Sequence, residues 1–463
     1  MTLIKSISGI RGTIGGTVGE SLTPVDAVKF AAAFGTWVLQ KSGKPKIVIG
    51  RDARPSGEMI STLVASTLQG LGIEVVDLGL STTPTVEIAV PIEKAGGGII
   101  LTASHNPVQW NALKLLNEKG EFISGQDGAD VLEIAEKEAF NFAEVKALGK
   151  YRKDESYIDK HIKSVLALSL VDVEAIRAAN FKVVIDCVNS TGGISLPPLL
   201  KALGVEEVKE LYCEPNGNFP HNPEPLPENL GQISGVLENG NYDLGIVVDP
   251  DVDRLAFLTE DGTPFGEEYT LVAVSDYILS QQKGNTVSNL SSTRALRDVT
   301  EKHGGSYAAA AVGEVNVVEK MKATEAIIGG EGNGGIIYPE SHYGRDALVG
   351  IALFLTHLAK KGEIMSLLRA SYPSYHISKN KIDLSPEIDV DKVLEGIKKK
   401  YKKQPINTID GVKIEFDQEW IHLRKSNTEP IIRIYSESSS EVTAEHLAKK
   451  IMSDIVEIVS AKE

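Results

Sequence analysis

Three aspartates alternate in Val247-Val248-Asp249-Pro250-Asp251-Val252-Asp253-Arg254-Leu255, directly behind an apolar run. Carboxylates spaced in this way can converge on one hard cation, most naturally Mg²⁺ with oxygen ligands, or form a solvated acidic turn. Without a cation they concentrate like charge at considerable cost. Asp249, Asp251, Asp253 and Glu260 also match four positions of an EF-hand loop. That loop requires Gly where this chain has Arg254, and helices where this chain has strand residues, so the EF-hand is rejected. A second constellation is Thr102-Ala103-Ser104-His105-Asn106-Pro107, after the apolar run that begins at Gly96-Gly97-Gly98. A serine at the carboxyl end of a strand in an open α/β sheet lies where such folds bind ligands. Asn106 and Pro107 break regular structure, so Ser104 is expected on a tight loop with N–H groups facing an anion. Taken alone, the run reads also as an ordinary Asx or Ser/Thr turn, and Ser104 beside His105 does not make a catalytic triad. Ten residues further on, Lys114 lies in the strand-like Leu113-Lys114-Leu115-Leu116. Its ammonium is suited to pairing with phosphate or exchanging a proton.

A third constellation is Gly329-Gly330-Glu331-Gly332-Asn333-Gly334-Gly335, followed by His342-Tyr343-Gly344-Arg345-Asp346. The glycines allow close backbone approach, and Glu331 and Asn333 offer acceptors and donors to neighbouring hydroxyls. It is no dinucleotide fingerprint, which opens a helix after the first strand of a βαβ unit; alone it reads equally as a flexible loop. The fourth is Arg424-Lys425-Ser426-Asn427-Thr428-Glu429-Pro430. Two cations and three small polar side chains make a phosphate cradle or, as readily, a polar hairpin turn.

Short β-branched runs alternating with amphipathic stretches must position these groups. Lys46–Gly50, Glu74–Leu78 and Gly98–Thr102 read as strands, with a helix over Ser56–Leu71. The rhythm restarts at Phe181–Cys187, with a helix from near Gly192 to Leu203 and a strand at Leu244–Val248. It restarts again from about Tyr269, through Thr286–Leu290, to Ala326–Ile328. Such alternation predicts βαβ units. The last hundred residues differ: strands at Tyr375–Ser378, Val412–Phe416 and Ile431–Tyr435 and a helix over Glu441–Val459 predict an α+β module. The lysine run 398–403 reads as a solvated helix end.

The composition sets bounds. The chain carries 48 Lys and Arg against 63 Asp and Glu, a net charge of −15. That argues against general nucleic-acid binding, which needs a basic face. It also makes the cationic 424–428 loop a place where an anionic substrate finds local attraction. The two cysteines, Cys187 and Cys213, fit a reducing cytoplasm better than a disulfide framework. The start of the sequence predicts no signal peptide, and no apolar run is long enough for a membrane helix.

In their order and spacing these segments closely resemble the α-D-phosphohexomutase family, along almost the whole chain. The resemblance implies that Ser104 is the phosphorylated residue of a phosphoserine loop, with His105 beside it in the catalytic group. Lys114 falls on the family's general acid/base, and Gly9-Ile10-Arg11-Gly12 matches the segment whose arginine, here Arg11, lies near the serine. It further implies one Mg²⁺ held by Asp249, Asp251 and Asp253 with Ser104. The expected substrate-binding residues are Arg254, with Glu331 and Asn333 on the sugar-recognition loop and Arg424, Ser426, Asn427 and Thr428 on the phosphate-binding loop. The implied fold is α/β: three related mixed-sheet domains and a smaller α+β domain around a central cleft. The expected boundaries are 1–152 (phosphoserine), 153–257 (metal), 258–368 (sugar) and 369–463 (phosphate). Bacterial phosphoglucosamine mutases carry Gly-Thr-Asp where this chain has Ser6-Ile7-Ser8, and Ser-Gly-His where it has Asn333-Gly334-Gly335. The asparagine is similar to acetylglucosamine phosphate mutases and favours an amino sugar. The expected activity is interconversion of hexosamine 6- and 1-phosphates, primed by a hexose 1,6-bisphosphate. Alternatives are a broad phosphomannomutase/phosphoglucomutase and, from another class, a metal-dependent serine phosphomonoesterase. The partners expected are small sugar phosphates, with neither nucleic acid nor membrane.

Overall fold

The computed structural model describes residues 2–6, 9–384, 388–425 and 431–460. Ile7 and Ser8 of the N-terminal segment, and Ser426, Asn427 and Thr428 of the phosphate loop, lie outside the described residues. The chain divides into two compact units, 1–278 with 333–369, and 279–332 with 370–463.

The first unit holds two sheets. Strands β1 (Ile4–Ser6), β2 (Gly9–Thr13), β3 (Lys46–Arg51), β4 (Glu74–Leu80), β5 (Gly97–Leu101), β6 (Trp110–Leu116) and β7 (Tyr151–Lys153) form a mixed sheet in the order β1-β2-β6-β5-β3-β4-β7. Its centre is parallel, and β6 runs antiparallel to β5 on one side and β2 on the other. Ile47, Val48, Ile49, Ile99 and Ile100 are wholly buried, as befits strands covered by helices on both faces. One covering helix, Pro24–Ser42, starts on a capping box between Thr23 and Asp26 with Pro24 in its first turn.

The second sheet of this unit comprises β8 (Lys182–Asp186), β9 (Glu207–Leu211), β10 (Leu244–Val248) and β11 (Leu255–Leu258), in the order β11-β10-β8-β9. Strands β8, β9 and β10 are parallel, whereas β11 returns antiparallel beside β10. Both sheets therefore build the same device: a parallel strand whose outgoing loop is brought straight back by an antiparallel neighbour.

The second unit contains the parallel strands β12 (Asn285–Asn289), β13 (Tyr307–Ala310) and β14 (Ala326–Glu331), with β12 between the other two. The glycine run is thus strand as far as Glu331; the strand β15 (Gly335–Ile337) follows a tight turn and belongs to the first unit. The C-terminal module is a five-stranded antiparallel sheet of β16 (His376–Asp383), β17 (Ile406–Asn407), β18 (Val412–Glu415), β19 (Trp420–Lys425) and β20 (Ile431–Ser438). The helices Val390–Lys400 and Glu441–Ser460 pack their apolar faces on it, through Ile397, Leu447 and Ile451 against Ile414, Leu423 and Ile434. Among the described residues no helix is long and apolar enough to cross a membrane.

Candidate active site

Ser104 sits on the loop between β5 and β6, with φ of 49°, in the left-handed region that a non-glycine residue rarely occupies. The loop is fixed from below. The Thr102 hydroxyl donates to Asp52 at 2.6 Å and accepts the Ser104 N–H at 2.9 Å. The buried Arg54 binds Asp52 at 2.9 Å and donates to the carbonyls of Pro107 at 2.7 Å, Trp110 at 3.1 Å, Asn106 at 2.7 Å and Ser104. One guanidinium thereby satisfies four loop carbonyls that would otherwise be costly to bury.

The aspartate loop leaves β10 in the same way, and the Ser104 hydroxyl donates to Oδ2 of Asp249 at 2.6 Å. Ser190 and Thr191 brace this loop from β8's side, each hydroxyl donating to the carbonyl of Pro250, at 2.7 and 2.8 Å. Asp249, Asp251 and Asp253 are fully buried, and one ligand oxygen from each lies within 4.8 Å of the others. Lys114, which β6 presents, donates to Asp251 at 2.7 Å and Asp253 at 3.3 Å, and Arg345 donates to Asp253 at 2.7 Å. Thr83 binds Asp251 through both its hydroxyl and its N–H. Oδ1 of Asp251 and Oδ1 of Asp253 are buried without a hydrogen-bond partner. Two orphaned carboxylate oxygens beside a third carboxylate fit a divalent cation bound by hard oxygen donors.

The electrostatics follow from this crowding. Burial first, and then Asp251 and Asp253, push the Asp249 carboxyl well above the usual range. Burial also works against Asp251, but the Lys114 charge and the hydrogen bonds from Lys114 and Thr83 outweigh it and hold that carboxyl low. Burial likewise opposes the Lys114 charge, yet the two aspartates prevail and hold its ammonium above the ordinary lysine range. His105 lies 3.5 Å from the Ser104 hydroxyl; burial, with Arg254 adding to it, pushes it down to about 2, so the ring is neutral. Arg254 pairs with Glu224 at 2.9 Å. Arg11 lies on β2 directly opposite Ala112 of β6, on the face that also carries Lys114.

In the second unit, Glu331 accepts from Asn289 at 3.0 Å and from the Gly313 N–H at 3.1 Å. In the first, the half-buried Asn333 accepts the Gly335 N–H on its side-chain oxygen at 3.2 Å. Arg424 pairs with Asp410 at 2.8 Å and stands opposite Arg433 on β20; Lys425 pairs with Asp391 at 2.8 Å. Of the expected residues, Ser104, His105, Lys114, Asp249, Asp251, Asp253 and Arg254 thus form one cluster within the first unit. Sequence reasoning did not single out Asp52, Arg54, Thr83, Glu224 or Arg345. The signal for the first two was Gly50-Arg51-Asp52-Ala53-Arg54-Pro55-Ser56, a charged run at a buried strand's carboxyl end, the same kind of position as the serine loop.

Four sequence models, of the phosphoglucomutase/phosphomannomutase α/β/α domains I, II and III and of the C-terminal domain, match residues 3–142, 155–262, 266–375 and 383–453. The chain belongs to the α-D-phosphohexomutase family. It is a phosphohexomutase-type isomerase built from the family's four domains. A phosphoglucomutase/phosphomannomutase from Thermococcus kodakarensis is 37% identical, over 94% of this chain and 95% of the relative. A phosphoglucosamine/phosphogalactosamine mutase from Sulfurisphaera tokodaii is 32% identical, over 98% of each. Among solved structures, a phosphoglucomutase/phosphomannomutase family protein from Burkholderia thailandensis superposes with a TM-score of 0.83 at 26% identity, covering 99% of this chain and 98% of that one.

Proposed function

We propose that this phosphohexomutase interconverts a hexosamine 6-phosphate and its 1-phosphate, glucosamine phosphate foremost, through a phosphoryl group carried on Ser104 and a 1,6-bisphosphate intermediate. The observation that carries the reading is the 2.6 Å contact between the Ser104 hydroxyl and Asp249, beside the two partnerless oxygens of Asp251 and Asp253. A reactive oxygen faces a built site for a divalent cation.

In the first half-reaction the bond from Ser104 Oγ to phosphorus breaks as one forms from the free sugar hydroxyl, whose proton leaves it. The Ser104 oxygen is then protonated. The second half-reaction reverses these changes on the intermediate's other phosphate after it has turned end for end. Asp249, Asp251 and Asp253 would hold the cation, with Mg²⁺ favoured by an all-oxygen donor set. A cation bound there neutralises charge on the transferred group, where positioning and electrostatics dominate. Lys114, with Arg11, stabilises the phosphoryl oxygens. Carboxylates already neutralised by a cation hold the Lys114 proton less firmly, so the same side chain serves in proton transfer. The neutral His105 supports the Ser104 end, and Arg254 contributes a second cation. Glu331 and Asn333 bind the sugar by contacts usable in both orientations, and Arg424, Ser426, Asn427 and Thr428 hold the phosphate that is not reacting. The four tasks fall to segments 1–152, 153–257, 258–368 and 369–463.

The amino-sugar preference is supported by Asn333, whose side-chain oxygen is already taken by the Gly335 N–H and whose amide nitrogen is a donor, and by the activity named for the Sulfurisphaera relative. A second reading, a mutase acting on mannose and glucose phosphates, is favoured by the name of the Thermococcus relative. An exchange assay on glucosamine, N-acetylglucosamine, glucose and mannose 6-phosphates, with a trace of the matching bisphosphate, tests both. The expected result is fastest turnover of glucosamine 6-phosphate with almost no inorganic phosphate released. Stoichiometric phosphate release would replace the mutase by a phosphomonoesterase. Asn333→Ser is expected to shift the glucosamine-to-mannose ratio; an unmoved ratio removes Asn333 from the specificity argument.

A further inference from the structure

We propose that Arg345 sets the cation selectivity of the aspartate trio, by holding Asp253 so that it presents a single oxygen to an ion. The inference rests on the metal reading above. Each carboxylate of the trio has one oxygen committed to protein. Oδ1 of Asp249 accepts the N–H groups of Asp253 and Arg254, at 3.1 Å each. Oδ2 of Asp251 is taken by Thr83 and by Lys114 at 2.7 Å. Oδ2 of Asp253 is taken by Nη2 of Arg345 at 2.7 Å and by Lys114 at 3.3 Å. What remains for an ion is Oδ2 of Asp249, shared with Ser104, and the two partnerless Oδ1 atoms. Mg²⁺ takes six single oxygens in near-ideal octahedral geometry and keeps several waters, whereas Ca²⁺ takes six to eight and welcomes bidentate carboxylates. A trio restricted to one oxygen each therefore favours the smaller ion.

Arg345 is the member of this arrangement that the glycine run makes possible. A Cβ on Gly335 would lie 2.3 Å from Cδ of Arg345 and 3.0 Å from its Cγ, so the bare backbone there is the bed on which the arginine stem lies. The arginine's own backbone is fixed on both sides. Arg345 forms an isolated antiparallel bridge with Ile337. The following residue, Asp346, accepts the N–H groups of Leu348 and Val349 at 2.9 and 3.2 Å, and its other oxygen meets ring nitrogens of His161 and His342 at 2.8 and 3.1 Å. A fork anchored in this way reaches Asp253 from one direction and closes off the bidentate approach.

Calorimetric titration of the full-length protein with Mg²⁺ and Ca²⁺, separately and without sugar phosphate, tests this. Wild type is expected to bind Mg²⁺ more tightly than Ca²⁺. Arg345→Met removes a positive charge and so strengthens both; the diagnostic is the Ca²⁺-to-Mg²⁺ affinity ratio, expected to rise at least about fivefold. Gly335→Ala keeps the charge but displaces the arginine stem, and is expected to move the ratio the same way. Arg345→Lys, which keeps a donor and the charge, is expected to leave the ratio within about twofold of wild type. An unchanged ratio in both the Met variant and Gly335→Ala would overturn the role of Arg345 while leaving the metal reading intact. Absence of divalent binding in wild type would overturn that reading itself.

Discussion

The hydroxyl of Ser104 and Oδ2 of Asp249 stand 2.6 Å apart although 145 residues separate them in the chain. Each belongs to a loop that leaves a buried parallel strand and returns along an antiparallel one, β5 to β6 and β10 to β11. The contact joins two copies of one architectural device, and the chemistry proposed for the protein lies where they meet.

Replacing Ser104 by Ala is expected to lower mutase turnover by at least about a thousandfold, as removal of a nucleophile does. Turnover above a few per cent of wild type in the exchange assay would take Ser104 out of the reaction.

Asp249→Asn separates the needs of folding from those of binding. The carboxyl of Asp249 is pushed up by burial and by its two aspartate neighbours, so a neutral isostere removes a repulsion. The cation-free variant is expected to gain about 1–2 kcal/mol and to lose the Mg²⁺-dependent rise in melting temperature that ligand binding confers on wild type. Thermal melts across a Mg²⁺ series read both. A destabilised variant, or one whose melting still climbs with Mg²⁺, contradicts the assignment.

Arg54 makes no contact with a reacting atom in this structure, yet it holds four carbonyls of the serine loop and the buried Asp52. Arg54→Met strands a buried carboxyl and is expected to cost about 3–5 kcal/mol. Urea unfolding at pH 7 measures it; a loss below about 1 kcal/mol would show that the loop carbonyls find other partners.

Stability is expected to fall on acidification through the histidines. Burial pushes His357 and His422 down to about 4 and His105 to about 2, against an ordinary value near 6.5. Below 6.5 the unfolded chain takes up protons that the folded chain refuses, so this contribution is complete above 6.5 and declines as the pH drops towards 4. His221 has the opposite sign: burial lowers it, but the hydrogen bond and charge of Asp186 prevail and raise it. Its contribution is complete below the unfolded value and is lost as the pH rises through the folded one. Among the histidines three against one make their joint contribution smaller at pH 4.5 than at pH 7, while the raised carboxyls of Asp52, Asp249 and Glu437 work the other way. Replacing His422 by Asn is expected to lower the pH 7 urea midpoint relative to the pH 4.5 one, and an unchanged difference would contradict it.

Ser104, the aspartate trio and Lys114 were legible in the sequence because each occupies a position that a local pattern reports: a strand end, an alternation, an apolar run. Their partners were not, since the reach of Lys114 to Asp251 spans 137 residues and the direction of β6 is not written in its own composition. Arg424 and Lys425 read as cations open to a phosphate, but each has a carboxylate partner, Asp410 and Asp391. Glu331 and Asn333, two residues apart and read as one loop, fall in different compact units because a strand ends at the first. Arg345 lies in the run His342–Asp346, and only the missing Cβ of Gly335 shows why it reaches Asp253.

The stems of the serine loop are tied into adjacent strands, and Arg54 pins the span between them. On the proposed cycle a phosphoryl group arriving on or leaving Ser104 would change the local charge by about two, at a stretch of main chain held at both stems and at four carbonyls. On that proposal the two halves of the cycle would differ at this loop chiefly in charge, set in the field of Lys114 and the aspartates.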